Sequence, residues 1–129
     1  MIDIKRVRSD PAAVVKGLII RGDPEAQAKI DALVAADLKR REALSEVNEL
    51  KALRNEVSKE IGEAKRQGED AAEAVTRMRE VGGQIEGLDA VVREANSQVE
   101  EALLWMPNTP DAKVPEGGED ANVLLREWG

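Results

Sequence analysis

Apolar positions along the chain fall into two long stripes. The first runs Leu33, Ala36, Arg40, Ala43, Val47, Leu50, Arg54, Val57, Ile61 and Ala64, with spacings that alternate three and four. The second runs Ala71, Ala74, Met78, Val81, Ile85, Leu88, Val92, Ala95, Val99 and Ala102, with the same alternation. That spacing puts each set on one face of a helix and marks a narrow packing seam. Gly68 ends the first stripe, and Asp70 with Glu73 resembles a capping box opening the second. A reversal near Gly68 pairs Val57 with Met78, Ile61 with Ala74, Leu50 with Ile85 and Val47 with Leu88 in one register. The pattern predicts an all-α fold: a long antiparallel two-helix coiled-coil hairpin, roughly 58 Å long at about 1.5 Å per residue.

Ahead of the hairpin, Asp10-Pro11 and Gly22 bracket a short helix, and Asp23-Pro24 repeats the start signal. The short helix is expected to pack near the base of the hairpin. Gly82-Gly83 falls inside the second helix, where each glycine costs about 1 kcal/mol relative to alanine. The arm should bend there, and its tip should be the most mobile part. After Trp105 the character changes, because PNTPDAKVPEGG (107–118) cannot continue a helix. NVLLREWG then resumes an ordered-looking pattern. The expected division is 1–106 as a helical domain, and 107–129 as a linker with the start of a further domain. On this reading the chain is an excised domain rather than a free-standing protein.

Composition narrows the chemistry. Cys, His, Phe and Tyr are absent and Trp is present only twice among 129 residues. Disulfides, thiolate nucleophiles, imidazole bases and zinc sites of the usual ligand set are thereby excluded. No phosphate-cradling glycine loop occurs, and the adjacent acids Glu100-Glu101 and Glu119-Asp120 read as solvated. There is neither a signal sequence nor an apolar run long enough for a membrane span, which points to a soluble, cytoplasmic protein.

Net charge is −7, yet it is unevenly spread. Residues 29–66 carry nine Lys/Arg against eight Asp/Glu, whereas residues 67–104 carry three against nine. Only the first helix suits phosphates. On it, Lys51, Asn55, Ser58, Gly62 and Lys65 share one face beside the seam, with Lys59 and Arg66 next to it. Such a row suits a sugar-phosphate backbone, cations neutralising phosphates while Asn and Ser bond sugars or phosphates. Small residues at Ser58 and Gly62 admit a bulky ligand. The same row also reads as solvated surface paired to Glu56, Glu60 or Glu63. Arg54, on the seam itself, either lays its methylenes along Val57 and Val81 and snorkels outward or aims across the seam at a ligand.

These residues bring a family into view. MIDIKRVRSDP at the start, the stop at Arg21-Gly22, LKALRNEVSKEI (50–61), MPNTP (106–110) and VPEGGEDANVLLREWG (114–129) together resemble the N-terminal domain of seryl-tRNA synthetases. The resemblance implies a tRNA-binding arm projecting from a homodimeric class II catalytic core. That arm would recognise the long variable arm and outer corner of serine tRNA. It implies an ATP- and Mg-dependent serine–tRNA ligase as the parent protein, with no cofactor in this segment, no membrane partner, and a segment that is monomeric and inactive alone. Carried over by motif, the tRNA-binding residues are Lys51, Arg54, Asn55, Ser58, Lys59, Lys65 and Arg66. Two departures stand out: Pro110-Asp111 where many relatives place a His, and an unusually apolar GLII at 17–20. The rival reading, from the seams and the net charge, is a structural coiled-coil module that binds another protein or itself.

Overall fold

The computed structural model describes residues 1–128, and its regular elements are all helical, in the order α1 (Ile4–Ser9), α2 (Pro11–Ile20), α3 (Ala26–Gln67), α4 (Ala72–Trp105) and a 3₁₀ turn at Glu119–Ala121. The starts of α1, α2 and α4 each have a side-chain cap. Asp3 accepts from the Lys5 amide at 2.8 Å. Asp10 accepts from Ala13 at 3.0 Å, with Pro11 at the first helical position, where no amide donor is needed. Asp70 accepts from Ala72 at 3.0 Å. Glu73 does not return the bond expected of a capping box, because it is the second helical residue and stands one place short of the reciprocating position. Gly22 (φ 84°) and Gly68 (φ 72°) take the left-handed conformation that ends α2 and α3.

The chain divides into two compact units. One comprises residues 1–34 with those from Glu100 onward. Its core is Val7, Val14, Leu18, Ile30, Leu33, Leu103 and Met106, all buried. Fully burying a side chain of this kind contributes about 1.5–3 kcal/mol, so the short helices and the base of the hairpin hold one another. Arg21 Nη1 donates to the Asn108 carbonyl at 2.9 Å, and Thr109 lies against Gly17, which ties the proline-rich stretch to α2. The helix α1 lies outside the sequence expectation, although Asp3 followed by Ile4 and Val7 carries its signal. NVLLREWG forms no regular element over 122–128. Val123, Leu124, Leu125 and Trp128 are exposed, and Arg126 stacks on Trp128 with its guanidinium carbon 4.3 Å from the ring centroid.

The second unit, Ala35–Val99, is the hairpin proper. Ala43, Val47, Val57, Val81, Ile85, Val92, Ala95 and Val99 are buried along it, as the two stripes require. Cross-hairpin bonds run from Arg40 to Asn96 at 3.4 Å and from Arg77 to Glu60 at 3.5 Å. Both lie within two residues of the expected register.

Two seam positions differ from the pattern. Arg54 is exposed and Leu53 half-buried, so between Leu50 and Val57 the apolar residue takes the seam and the cation goes to water. Near the base, Asp37 is buried at 1% exposure while Ala36 is only half-buried. The acid is held by Arg40 at 2.7 Å and Arg41 at 3.1 Å, three and four residues along the same helix. A buried carboxylate requires such partners.

Candidate nucleic-acid interface

The middle and upper part of α3 carries every residue of the basic row, and all seven of Lys51, Arg54, Asn55, Ser58, Lys59, Lys65 and Arg66 are exposed. At 1.5 Å per residue they extend along roughly 22 Å of helix. Asn55, Ser58, Lys59 and Arg66 meet around an open groove of about 630 Å³, whose remaining lining is Gly62 and Glu63. Gly62 leaves the floor low, since the position of its missing Cβ has no neighbour within 4 Å. Lys51, Arg54 and Lys65 lie outside the groove lining. By helical spacing Arg54 and Lys65 edge the row on the seam side, and Lys59 and Arg66 edge it on the far side.

None of the seven is held by an acid. Glu60 is engaged across the hairpin by Arg77, and neither Glu56 nor Glu63 forms an ion pair with the row. The cationic heads are therefore hydrated and available to a ligand. Lys65 and Arg66 also occupy the last turn of α3, where the helix dipole favours positive charge. Glu63 is the groove residue outside the candidate set; the sequence offered it only as an ion-pair partner of the row. Its position between Lys59 and Arg66 is visible in the sequence, but an acid does not suggest itself on a phosphate-facing surface. It narrows where an anion can sit, leaving the approaches beside Lys59 and Arg66.

No group of three or more acids is placed to hold a metal ion among the described residues. Away from the row, Lys29 donates to Asp23 at 2.8 Å, which holds the Asp23 carboxyl below and the Lys29 amine above their ordinary values. Among the described residues no helix is long and apolar enough to cross a membrane.

Comparison with known proteins places these features in a lineage. The model of the seryl-tRNA synthetase N-terminal domain matches residues 1–110. A serine–tRNA ligase from Exiguobacterium sibiricum is 44% identical over 130 residues, covering all of this chain and 30% of the relative. Another, from Desulfitobacterium hafniense (strain DSM 10664 / DCB-2), is 40% identical with the same coverage. The crystal structure of seryl-tRNA synthetase from Pyrococcus horikoshii, complexed with ATP, superimposes with a TM-score of 0.89 at 35% identity, over all of this chain and 29% of that one. This chain thus spans under a third of the length of the relatives it matches. With its hairpin, short N-terminal helices and end-to-end sequence likeness, the chain belongs to the seryl-tRNA synthetase N-terminal domain family.

Proposed function

We propose that this chain is the tRNA-binding arm of a seryl-tRNA synthetase, and that it engages the long variable arm and outer corner of serine tRNA through the row on α3. The observation that carries the reading is the row itself: Lys51, Arg54, Asn55, Ser58, Lys59, Lys65 and Arg66, exposed and free of acidic partners on one side of α3. Double-stranded RNA presents phosphates and 2′-hydroxyls along a regular surface and is read by shape rather than by base edges. A helix bearing spaced cations with amide and hydroxyl groups between them matches that surface.

In the full-length protein the segment 107–129 leads from the arm to a catalytic domain. That domain, acting as a homodimer in the cytoplasm, would activate serine with ATP and Mg and transfer it to the tRNA that the arm positions. Residues 1–129 contribute positioning only.

The test is a titration of the chain with serine tRNA at low and moderate salt, against the same tRNA lacking its variable arm. Binding of the intact tRNA alone supports the assignment. Equal binding of both would move specificity away from this arm, and binding of neither would mean that the row recognises nothing by itself.

A further inference from the structure

The acids of the hairpin are arrayed as regularly as the cations. Glu42, Glu46, Glu49, Leu53, Glu56 and Glu60 follow one another along α3 at alternating spacings of four and three, so they share one face. Glu80, Gln84, Gly87 and Glu94 recur with matching periodicity on α4. Between these faces lies an open groove of about 630 Å³. Leu50, Leu53 and Leu88, all half-buried, line it with Gly87, and Glu46 and Glu49 stand exposed beside them. The position of the missing Gly87 Cβ has no neighbour within 4 Å, so the groove is open there. Neither Glu46 nor Glu49 is engaged by a cation. Leu53 follows Lys51 by two residues, which puts this groove on nearly the opposite side of α3 from the basic row.

We propose that this groove is a docking site for a cationic amphipathic helix of a partner protein. Its apolar side chains would enter between Leu50, Leu53 and Leu88, and its lysines or arginines would meet Glu46 and Glu49. Charge selects this occupant. A phosphate backbone is repelled by a face carrying acids on both helices. The basic row on α3 of a second copy fits poorly, because Asn55, Ser58 and Gly62 stand between its cations and it offers no apolar stripe to fill the groove. A helix with leucines at helical spacing and flanking cations satisfies both the apolar lining and the acidic margin, which is the helix-in-groove mode of recognition. The proposal stands independently of the RNA-binding reading, since it uses the other side of the hairpin.

The test uses the whole 129-residue chain and a fluorescent synthetic helix with leucines at i, i+4 and i+7 flanked by lysines. Anisotropy should report binding that weakens by roughly tenfold or more in Glu46→Lys/Glu49→Lys, the loss expected when a charge-complementary rim is inverted. Gly87→Leu, which fills the groove, should abolish binding. That variant should keep its fold, because leucine is the better helix former and meets open space, and circular dichroism checks this. Equal binding of the peptide with its lysines changed to glutamate, or undiminished binding to Gly87→Leu, overturns the proposal. Displacement of the peptide by an RNA stem, together with weaker RNA binding by Gly87→Leu, also overturns it and assigns the groove to nucleic acid.

Discussion

The carboxylate of Asp37 lies 2.7 Å from the guanidinium of Arg40, three residues along α3, with Asp37 at 1% and Arg40 at 22% exposure. The second oxygen takes Arg41 Nε at 3.1 Å, and Arg40 reaches over to Asn96 on α4. One Arg40 nitrogen, Nε, is buried without a partner. Asp37→Ala would strand the guanidinium near the seam with its best acceptor gone. The expected cost is about 2–3 kcal/mol, below the usual toll for a fully buried pair because Arg40 keeps some contact with water. Replacing both residues with leucine should restore stability to near or above the starting value. Urea unfolding of the two variants distinguishes a supporting ion pair from a merely tolerated one.

Gly82 and Gly83 lie inside α4 with open space where a Cβ would stand. Gly82→Ala and Gly83→Ala should each stabilise the hairpin by about 0.5–1 kcal/mol through helix propensity. A thermal melt showing no gain would mean that the glycines serve a contact that alanine spoils.

Gly17 is the opposite case. A Cβ there would stand 2.6 Å from Thr109 Cγ2 and 2.7 Å from Thr109 Cβ. Overpacking of this kind costs about 1–3 kcal/mol, which outweighs the propensity gained. Gly17→Ala should therefore lower the unfolding midpoint and loosen the Arg21–Asn108 tie, seen as faster amide exchange around 106–110.

The two seams made the hairpin legible, since alternating spacings leave few other ways to bury Val47, Val57, Val81 and Ile85. Glycines marked the turns because Gly22 and Gly68 adopt a conformation other residues resist. Asp37 was hidden, since a lone acid beside a seam reads as solvated until Arg40 and Arg41 are seen to fold back onto it. Arg54 and Leu53 are adjacent flanks of the same stripe, and spacing alone did not choose between them; the cost of desolvating a guanidinium did. The row on α3 was readable as periodicity. Which acids would bond to it was not, because that depends on rotamers and on Arg77 drawing Glu60 across the hairpin.

If the row contacts phosphates, Lys59→Ala/Arg66→Ala should flatten the salt dependence of RNA binding. At roughly 0.7–0.9 per phosphate contact, the slope should fall by about 1.5. Helicity should stay unchanged, since both side chains are exposed. An unaltered slope would place the phosphates elsewhere.

Asp23 and Lys29 give the domain a pH signature at two extremes. The Asp23 carboxyl is lowered from its ordinary 3.8, chiefly by the hydrogen bond from Lys29. Its contribution is present above that value and lost as pH falls through the lowered one. The Lys29 amine is raised from its ordinary 10.5 by the same bond. Its contribution is complete below that value and lost as pH rises through the raised one. The stability gap between wild type and Asp23→Asn should be flat from roughly pH 5 to 9 and close at both ends. A gap that persists under acid would mean that the hydrogen bond Asp23 accepts from the Glu25 amide at 3.0 Å, not the charge, is what matters.

The opposition of a cationic row and an acid-lined groove across one slender helix also has a kinetic consequence. Such a helix carries a transverse dipole, and an approaching polyanion exerts a torque on it before any contact forms. Within the roughly 8–10 Å over which physiological salt leaves charges visible to each other, encounters from the glutamate side are turned away and those from the lysine side are drawn in. If the row is the RNA-binding face, the arm is thus oriented during diffusion, and much of its selectivity is set by the rate of arrival rather than by the lifetime of the complex.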